Sequence, residues 1–239
     1  MLNRYFEVTN NEKDFFFLRL AKPYNGFWAF TDYDSKKRIV QTGFFTDSTF
    51  KTPIGPYKFY WESVKMYEGN YVNGKPSGYW YFFNKKGQLS DSLHYYVVSD
   101  TIKNKLPDSV SVLLEKQKTL SLQNEHLKKD SSKSFNLVEV EAEFPGGSEA
   151  WKKHIIRKID FPDLVMNTKR PQKGTVMIQF IVCSDGEVCS VEALNSFHPL
   201  LDLTAVNAIR NGPHWKPAIQ NGRMVKAWRR QPITFIVPD

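Results

Sequence analysis

At 239 residues, with 41% apolar and 24% charged side chains, the chain has room for one large domain or two small ones and is too apolar for wholesale disorder. Its net charge of +8 divides into +3 over residues 1–102, +3 over 103–136 and +2 over 137–239, so there is no basic stripe, and with no recognisable motif nucleic-acid binding is not expected. No run nears the roughly 20 apolar residues that cross a bilayer, and Met1-Leu-Asn-Arg-Tyr-Phe lacks the basic-then-apolar layout of a secretory signal, an absence that leaves the compartment open.

Taken from the front, three segments share one pattern: Gly26-Phe-Trp28-Ala-Phe30, Gly55-Pro-Tyr57-Lys-Phe59 and Gly78-Tyr-Trp80-Tyr-Phe82. Each is a glycine followed by alternating aromatic positions, the period-2 signature of a strand with one buried face. Gln41-Thr-Gly43-Phe-Phe45 and Tyr67-Glu-Gly69-Asn-Tyr71 read as the strands between them. Asn73-Gly74 and Lys86-Gly87 supply the positive φ that hairpin turns require. The spacing predicts a stack of β-hairpins over residues 1–102, an elongated antiparallel sheet whose members cannot bury their aromatic faces alone.

The stretch Tyr67 to Phe83 resembles MORN-type repeats in the variant of YwqK-like antitoxin-family proteins, and the resemblance extends over about residues 24–96. It implies a platform for protein or lipid contact, without an active site. Trp28, Tyr57, Tyr71 and Trp80 are the repeat-face aromatics, either the packed face of the sheet or a groove for a glycan or peptide.

Residues 103–136 change character. Val110, Leu113, Leu114, Gln117, Leu120 and Leu127 fall near helical spacing after Pro107-Asp108, and the serine-rich stretch 130–134 ends the pattern. An amphipathic linker helix is expected, its stripe suited to homodimerisation or to docking on a flanking domain.

In residues 137–239, Pro145-Gly-Gly147 precedes a helical run with Trp151, Ile155, Ile156 and Ile159 on one side and Lys152, Lys153, Arg157 and Lys158 on the other. The backbone amides at that glycine entry serve for ordinary capping or for holding an anion. Val176, Ile178, Phe180 and Val182 alternate along one strand, residues 187–194 return as its partner, Leu200 to Ile209 form a helix after His198-Pro199, and Ile233, Phe235 and Val237 share a face of the last strand. The order predicts an α+β domain, three antiparallel strands covered on one side by two helices.

Cys183 and Cys189 flank Asp185-Gly186. A two-residue turn puts their sulfurs on opposite faces, whereas a three-residue loop closed by Glu187 lets them meet, so both reduced thiols and a disulfide stay open.

The series Glu143-Phe-Pro-Gly-Gly-Ser-Glu-Ala150, Phe161-Pro162, Gly174-Thr-Val176, Asp185-Gly186-Glu-Val188, His198-Pro-Leu-Leu-Asp202, Ala205-Val206, Trp215-Lys-Pro-Ala218, Gly222 and Pro232-Ile-Thr-Phe235 resembles the C-terminal domain of TonB-family proteins in its Bacteroidetes form. The resemblance implies a periplasmic domain that adds the TonB box of an outer-membrane transporter to a sheet edge as an extra strand. By position that edge is the closing strand, with Lys226, Trp228, Arg230, Ile233, Phe235 and Val237 as its partner-binding residues; Pro232 fits an edge because proline cannot serve a central strand. A force-transducing member also needs a membrane anchor and usually a proline-rich spacer, and neither is written in this sequence. Inner-membrane motor proteins are therefore expected partners only if an anchor has been removed. A scaffold acting through the repeat sheet, without energy transduction, is the alternative.

An enzyme is not expected. His94, His126, His154, His198 and His214 show no metal-ligand spacing, and no phosphate loop or nucleophile elbow is present, so no cofactor or metal is anticipated.

Overall fold

The computed structural model describes residues 2, 16–95, 134–135, 137–159 and 173–236. Residues 16–95 belong to one compact unit and the described residues from 134 onward to another. The described residues are mostly β with two α-helices, consistent with an α+β chain. The expected linker helix and Val237 lie outside them.

The first unit is an antiparallel meander in sequence order: β1 (Phe17–Tyr24), β2 (Phe27–Asp34), β3 (Ile39–Phe45), β4 (Pro53–Trp61), β5 (Val64–Val72), β6 (Lys75–Phe83) and β7 (Leu89–Tyr95). Its tight turns are two-residue links with both φ positive, Asn73-Gly74 at 50° and 77° and also Asn25-Gly26 at 47° and 80°, the geometry whose twist matches that of flanking strands. Glu62-Ser63 makes a third, at 48° and 68°, without the glycine that would have announced it.

A packing rule recurs along this sheet. Between β3 and β4 the register slips at Gly43, which lies opposite residues 55–57; between β5 and β6 it slips at Gly69, opposite residues 78–80. At each slip an aromatic ring from the following strand lies over the glycine. A Cβ on Gly43 would stand 3.1 Å from Phe30 and 3.2 Å from Tyr57, and one on Gly69 only 2.2 Å from the Trp80 ring. The glycines are therefore seats for aromatic rings. Trp80 is fully buried, meets Tyr71 edge-on at 5.0 Å and Tyr57 at 6.1 Å, and donates its indole N–H to the Asn70 carbonyl. Phe59 stacks on Tyr67 at 4.9 Å.

One buried charge is set into this face. Asp32, with no exposed surface, takes two bonds from the Arg19 guanidinium at 2.8 and 2.7 Å and a third from Gln41, whose carbonyl oxygen accepts from the Tyr57 hydroxyl. Arg19 in turn lies 4.7 Å from the centre of the Phe30 ring and 5.0 Å from that of Phe45. Full pairing of this kind is what lets a carboxylate stay inside. Burial pushes the Tyr57 and Tyr67 phenols well above their ordinary range, so both remain protonated.

In the second unit β8 (Lys173–Val182) is flanked by β9 (Val188–Ala193) and β12 (Ala227–Ile236). Val176, Ile178, Phe180 and Val182 are completely buried on one face of β8, and α2 (Pro199–Arg210) packs Leu201, Ala205, Val206 and Ile209 in the same core. The helix α1 (Gly147–Lys158) lies against α2, tied by a bond between the buried His154 Nε2 and the Ala208 carbonyl at 2.8 Å. This corrects the expected face of α1: His154 is its buried residue and Ile156 is 79% exposed. Helical spacing from Trp151 reaches 154 and 155, and 156 falls past the stripe. A further hairpin absent from the expected order, β10 (Ala218–Gln220) with β11 (Arg223–Val225), closes through Asn221-Gly222.

Candidate functional site: the outer edge of the closing strand

β12 pairs with β8 from Ala227↔Val182 to Ile236↔Lys173 and, among the described residues, with no named strand on its other side. Backbone groups of a strand point alternately to its two neighbours. The Trp228 N–H donates outward to the Phe135 carbonyl at 3.0 Å, and the Lys226 carbonyl accepts the Phe135 N–H at 2.9 Å. The even-numbered residues of β12 therefore aim their amides and carbonyls outward, and the odd-numbered ones bond β8. Pro232, which has no N–H, falls on the outward set. A proline there interrupts the open edge and leaves the β8 ladder whole.

The same alternation sorts the residues expected to bind a partner. Arg230 is exposed, with its Nε donating to Gln179 at 2.8 Å; Trp228 and Lys226 are half-buried. Ile233 and Phe235 are 3% and 1% exposed and belong to the core, Phe235 stacking with Phe197 at 6.1 Å. Their side chains are not offered to solvent. The exposed side chains of the edge are Arg230, Pro232, Thr234 and Ile236, the last three absent from the expected set.

A strap runs into this edge. Within Val138-Glu-Val-Glu-Ala-Glu143 the three glutamates face three different anchors: Glu139 accepts from the Asn221 backbone N–H at 3.0 Å, Glu141 from Arg229 at 2.7 Å and Glu143 from Lys216 at 2.9 Å. Val140 and Glu143 make antiparallel bridges with Ile219 and Lys216. The alternating pattern Val-Glu-Val-Glu-Ala-Glu was the sequence signal for it.

In the first turn of α2, Asp202 organises the preceding loop, which carries Phe197. Fully buried, it accepts from the Ser196 hydroxyl and from the Phe197 backbone N–H at 3.1 Å. His198 is the N-cap, its Nδ1 accepting from Leu200 N–H at 3.3 Å. Desolvation lowers its pKa from 6.5 to about 4, keeping the ring neutral and able to accept. Because the folded value lies below the unfolded one, this group's stabilisation is complete above pH 6.5 and is lost as pH falls towards 4. The denaturation midpoint in urea should therefore drop over that window in the native protein and drop less in His198→Asn, which caps without titrating.

The two cysteines form a disulfide, Cys183–Cys189, with Cα atoms 6.0 Å apart. The strand body keeps the register of a two-residue turn, from Ile178↔Ala193 to Ile181↔Ser190; a shift then places Val182 opposite Val188. This bulge at Cys189 joins sulfurs that an unbroken register would have put on opposite faces.

The repeat-face aromatics fall on the packed side: Trp80 is buried, Tyr57 and Tyr71 are half-buried against it, and the half-buried Trp28 meets Phe50 edge-on at 5.7 Å. His214 is exposed beside Glu187, and no cluster able to hold a metal is present among the described residues.

Residues 160–237 match the Gram-negative bacterial TonB protein C-terminal family. The match supports a TonB-family C-terminal domain, and it covers β8, β9, α2 and the β10 to β12 strands, roughly a third of the chain. The strap and α1 precede the matched region. Comparison with curated proteins and with solved structures finds no match. Among the described residues no helix is long and apolar enough to cross a membrane.

Proposed function

We propose that the TonB-type domain binds an extended segment of an outer-membrane transporter in the periplasm, adding it as a strand to the outer edge of β12. The observation that carries this reading is the outward ladder of Arg230, Thr234 and Ile236, which has no partner strand among the described residues. Main-chain bonds supply affinity with little demand on sequence, and exposed side chains beside them supply selectivity. Lys226 and Arg230 give this end of the strand a basic character, which favours a peptide with an acidic residue at that end. The disulfide supports an oxidising compartment. Burial of Trp80 weighs against the alternative in which the repeat aromatics form the binding groove.

The test is titration of the full chain with a blocked peptide of alternating Thr and Val carrying an acidic residue at its N-terminal end, followed by amide shifts. Saturable changes along β12 are expected. Thr234→Pro deletes an outward N–H, leaves the backbone ladder to β8 whole while losing the side-chain bond to Thr175, and should weaken binding about tenfold, on the order of 1.4 kcal/mol. Equal binding by Thr234→Pro, or shifts confined to other strands, would reject edge recognition.

A further inference from the structure

The first rung of this edge is already filled by the chain itself. Phe135 makes a parallel bridge with Ala227, donating its N–H to the Lys226 carbonyl at 2.9 Å and accepting the Trp228 N–H at 3.0 Å. These are the two bonds that one residue of a parallel added strand makes with its neighbour. The strap then leaves the edge: Leu137, two residues on and next in line for the ladder, is 85% exposed. The open ladder begins only at the Trp228 carbonyl and the Arg230 N–H.

Resting on the edge-binding reading above, we infer that Phe135 is an intramolecular occupant of the recognition edge, and that a partner strand spanning the whole of β12 must displace it. Three features of the site point this way. Phe135 and a partner strand need the same donor and the same acceptor, so they cannot both hold this rung. Pro232 denies a parallel partner one bond further along, which raises the share of the affinity that the Lys226–Trp228 rung carries. The strap's remaining anchors, Glu139, Glu141 and Glu143, lie outside the ladder and are exposed side chains, so the strap stays attached when Phe135 lets go. Binding at the edge would thereby be linked to release of Phe135, and any restraint on Phe135 would alter affinity for the partner, since such linkage is reciprocal.

The experiment compares the full chain with Phe135→Pro, which removes the N–H donor, using amide hydrogen exchange and titration with the same alternating Thr and Val peptide. In the native chain the Trp228 amide should be protected. In Phe135→Pro it should exchange faster, and the peptide should bind about fivefold tighter or more, the equivalent of roughly one net hydrogen bond no longer competed for. Saturating peptide should deprotect the Phe135 amide in the native chain while Trp228 stays protected. Phe135→Gly, which keeps the donor and loosens the segment, should fall between the two and covers the case in which the proline variant is poorly folded. Equal affinity in the native chain and both variants, with Trp228 deprotected by Phe135→Pro, would overturn the competition and leave edge binding standing. Absence of binding in all of them would overturn edge recognition and the competition together.

Discussion

Gly69→Ala should be the most damaging single methyl added to the first unit. Its Cβ would stand 2.2 to 2.4 Å from three atoms of the Trp80 ring, and Trp80 has no exposed surface into which to retreat. The ring is also held by its bond to the Asn70 carbonyl and by edge contacts with Tyr71 and Tyr95 at 5.0 and 6.1 Å. Either the indole leaves its seat or β5 separates from β6. Overpacking of this severity costs about 3 kcal/mol or more, which in a domain of this size lowers the melting temperature by roughly 10 °C or more. Calorimetry of the full chain reads it directly. Gly43→Ala is the graded control: its nearest contacts, at 3.1 to 3.3 Å, ask neighbours to give by only a few tenths of an ångström, so its loss should be well under half as large. Pairing Gly69→Ala with Trp80→Phe should recover part of the loss, because the smaller ring vacates the space the methyl takes. A Gly69→Ala protein that melts with the native one would show that the ring does not depend on this seat.

Asp202→Ala should have the largest effect in the second unit. It removes a fully buried acceptor that the Ser196 hydroxyl and the Phe197 backbone N–H, both part-buried, depend on, and donors left without a partner there are costly where paired ones are nearly neutral. The loss expected is about 2 to 3 kcal/mol. Phe197 covers Gly174, where a Cβ would lie 1.9 Å from its ring, and stacks on Phe235 of β12. Loosening the loop should therefore reach β12. Asp202→Asn retains one acceptor oxygen and should lose about half as much. Denaturation midpoints of the three proteins, with exchange rates of the odd-numbered β12 amides, separate these outcomes. Identical midpoints for Asp202→Ala and the native protein would remove Asp202 from any organising role.

Much of the architecture was legible because alternation is a strong signal when one face is fully buried. Val176, Ile178, Phe180 and Val182 could face only one way, and the glycine-aromatic boxes announced β2, β4 and β6. The edge was legible from Pro232, whose parity implied that the backbone groups of Arg230, Thr234 and Ile236 turn outward, while the apolar alternation of Ile233 and Phe235 marked the side chains that face in. The expected contact residues mixed the two sets because they were carried over by position along a strand and not by parity. Other features left weaker traces. Glu62-Ser63 turns without glycine, β10 and β11 are three residues each, and Ile156 looks like a stripe residue until the helical angle is counted. The bulge at Cys189 and the rung at Phe135 depend on register and on a bridge between residues far apart in the chain, which no local pattern encodes.

The seating of Tyr57 over Gly43 and of Trp80 over Gly69 has a consequence for how such a protein changes length over evolutionary time. Each seat is completed by the strand that follows it, so the rule refers only to adjacent hairpins and never to a shared centre. A duplication that adds one glycine-bearing strand and one ring-bearing strand brings its own filling with it, and a deletion takes its own filling away. The interior of this unit is thus a row of interchangeable places, open to growth or loss by whole hairpins, whereas in the second unit β8, β12 and α2 close around one interior that holds Phe180, Leu201 and Phe235.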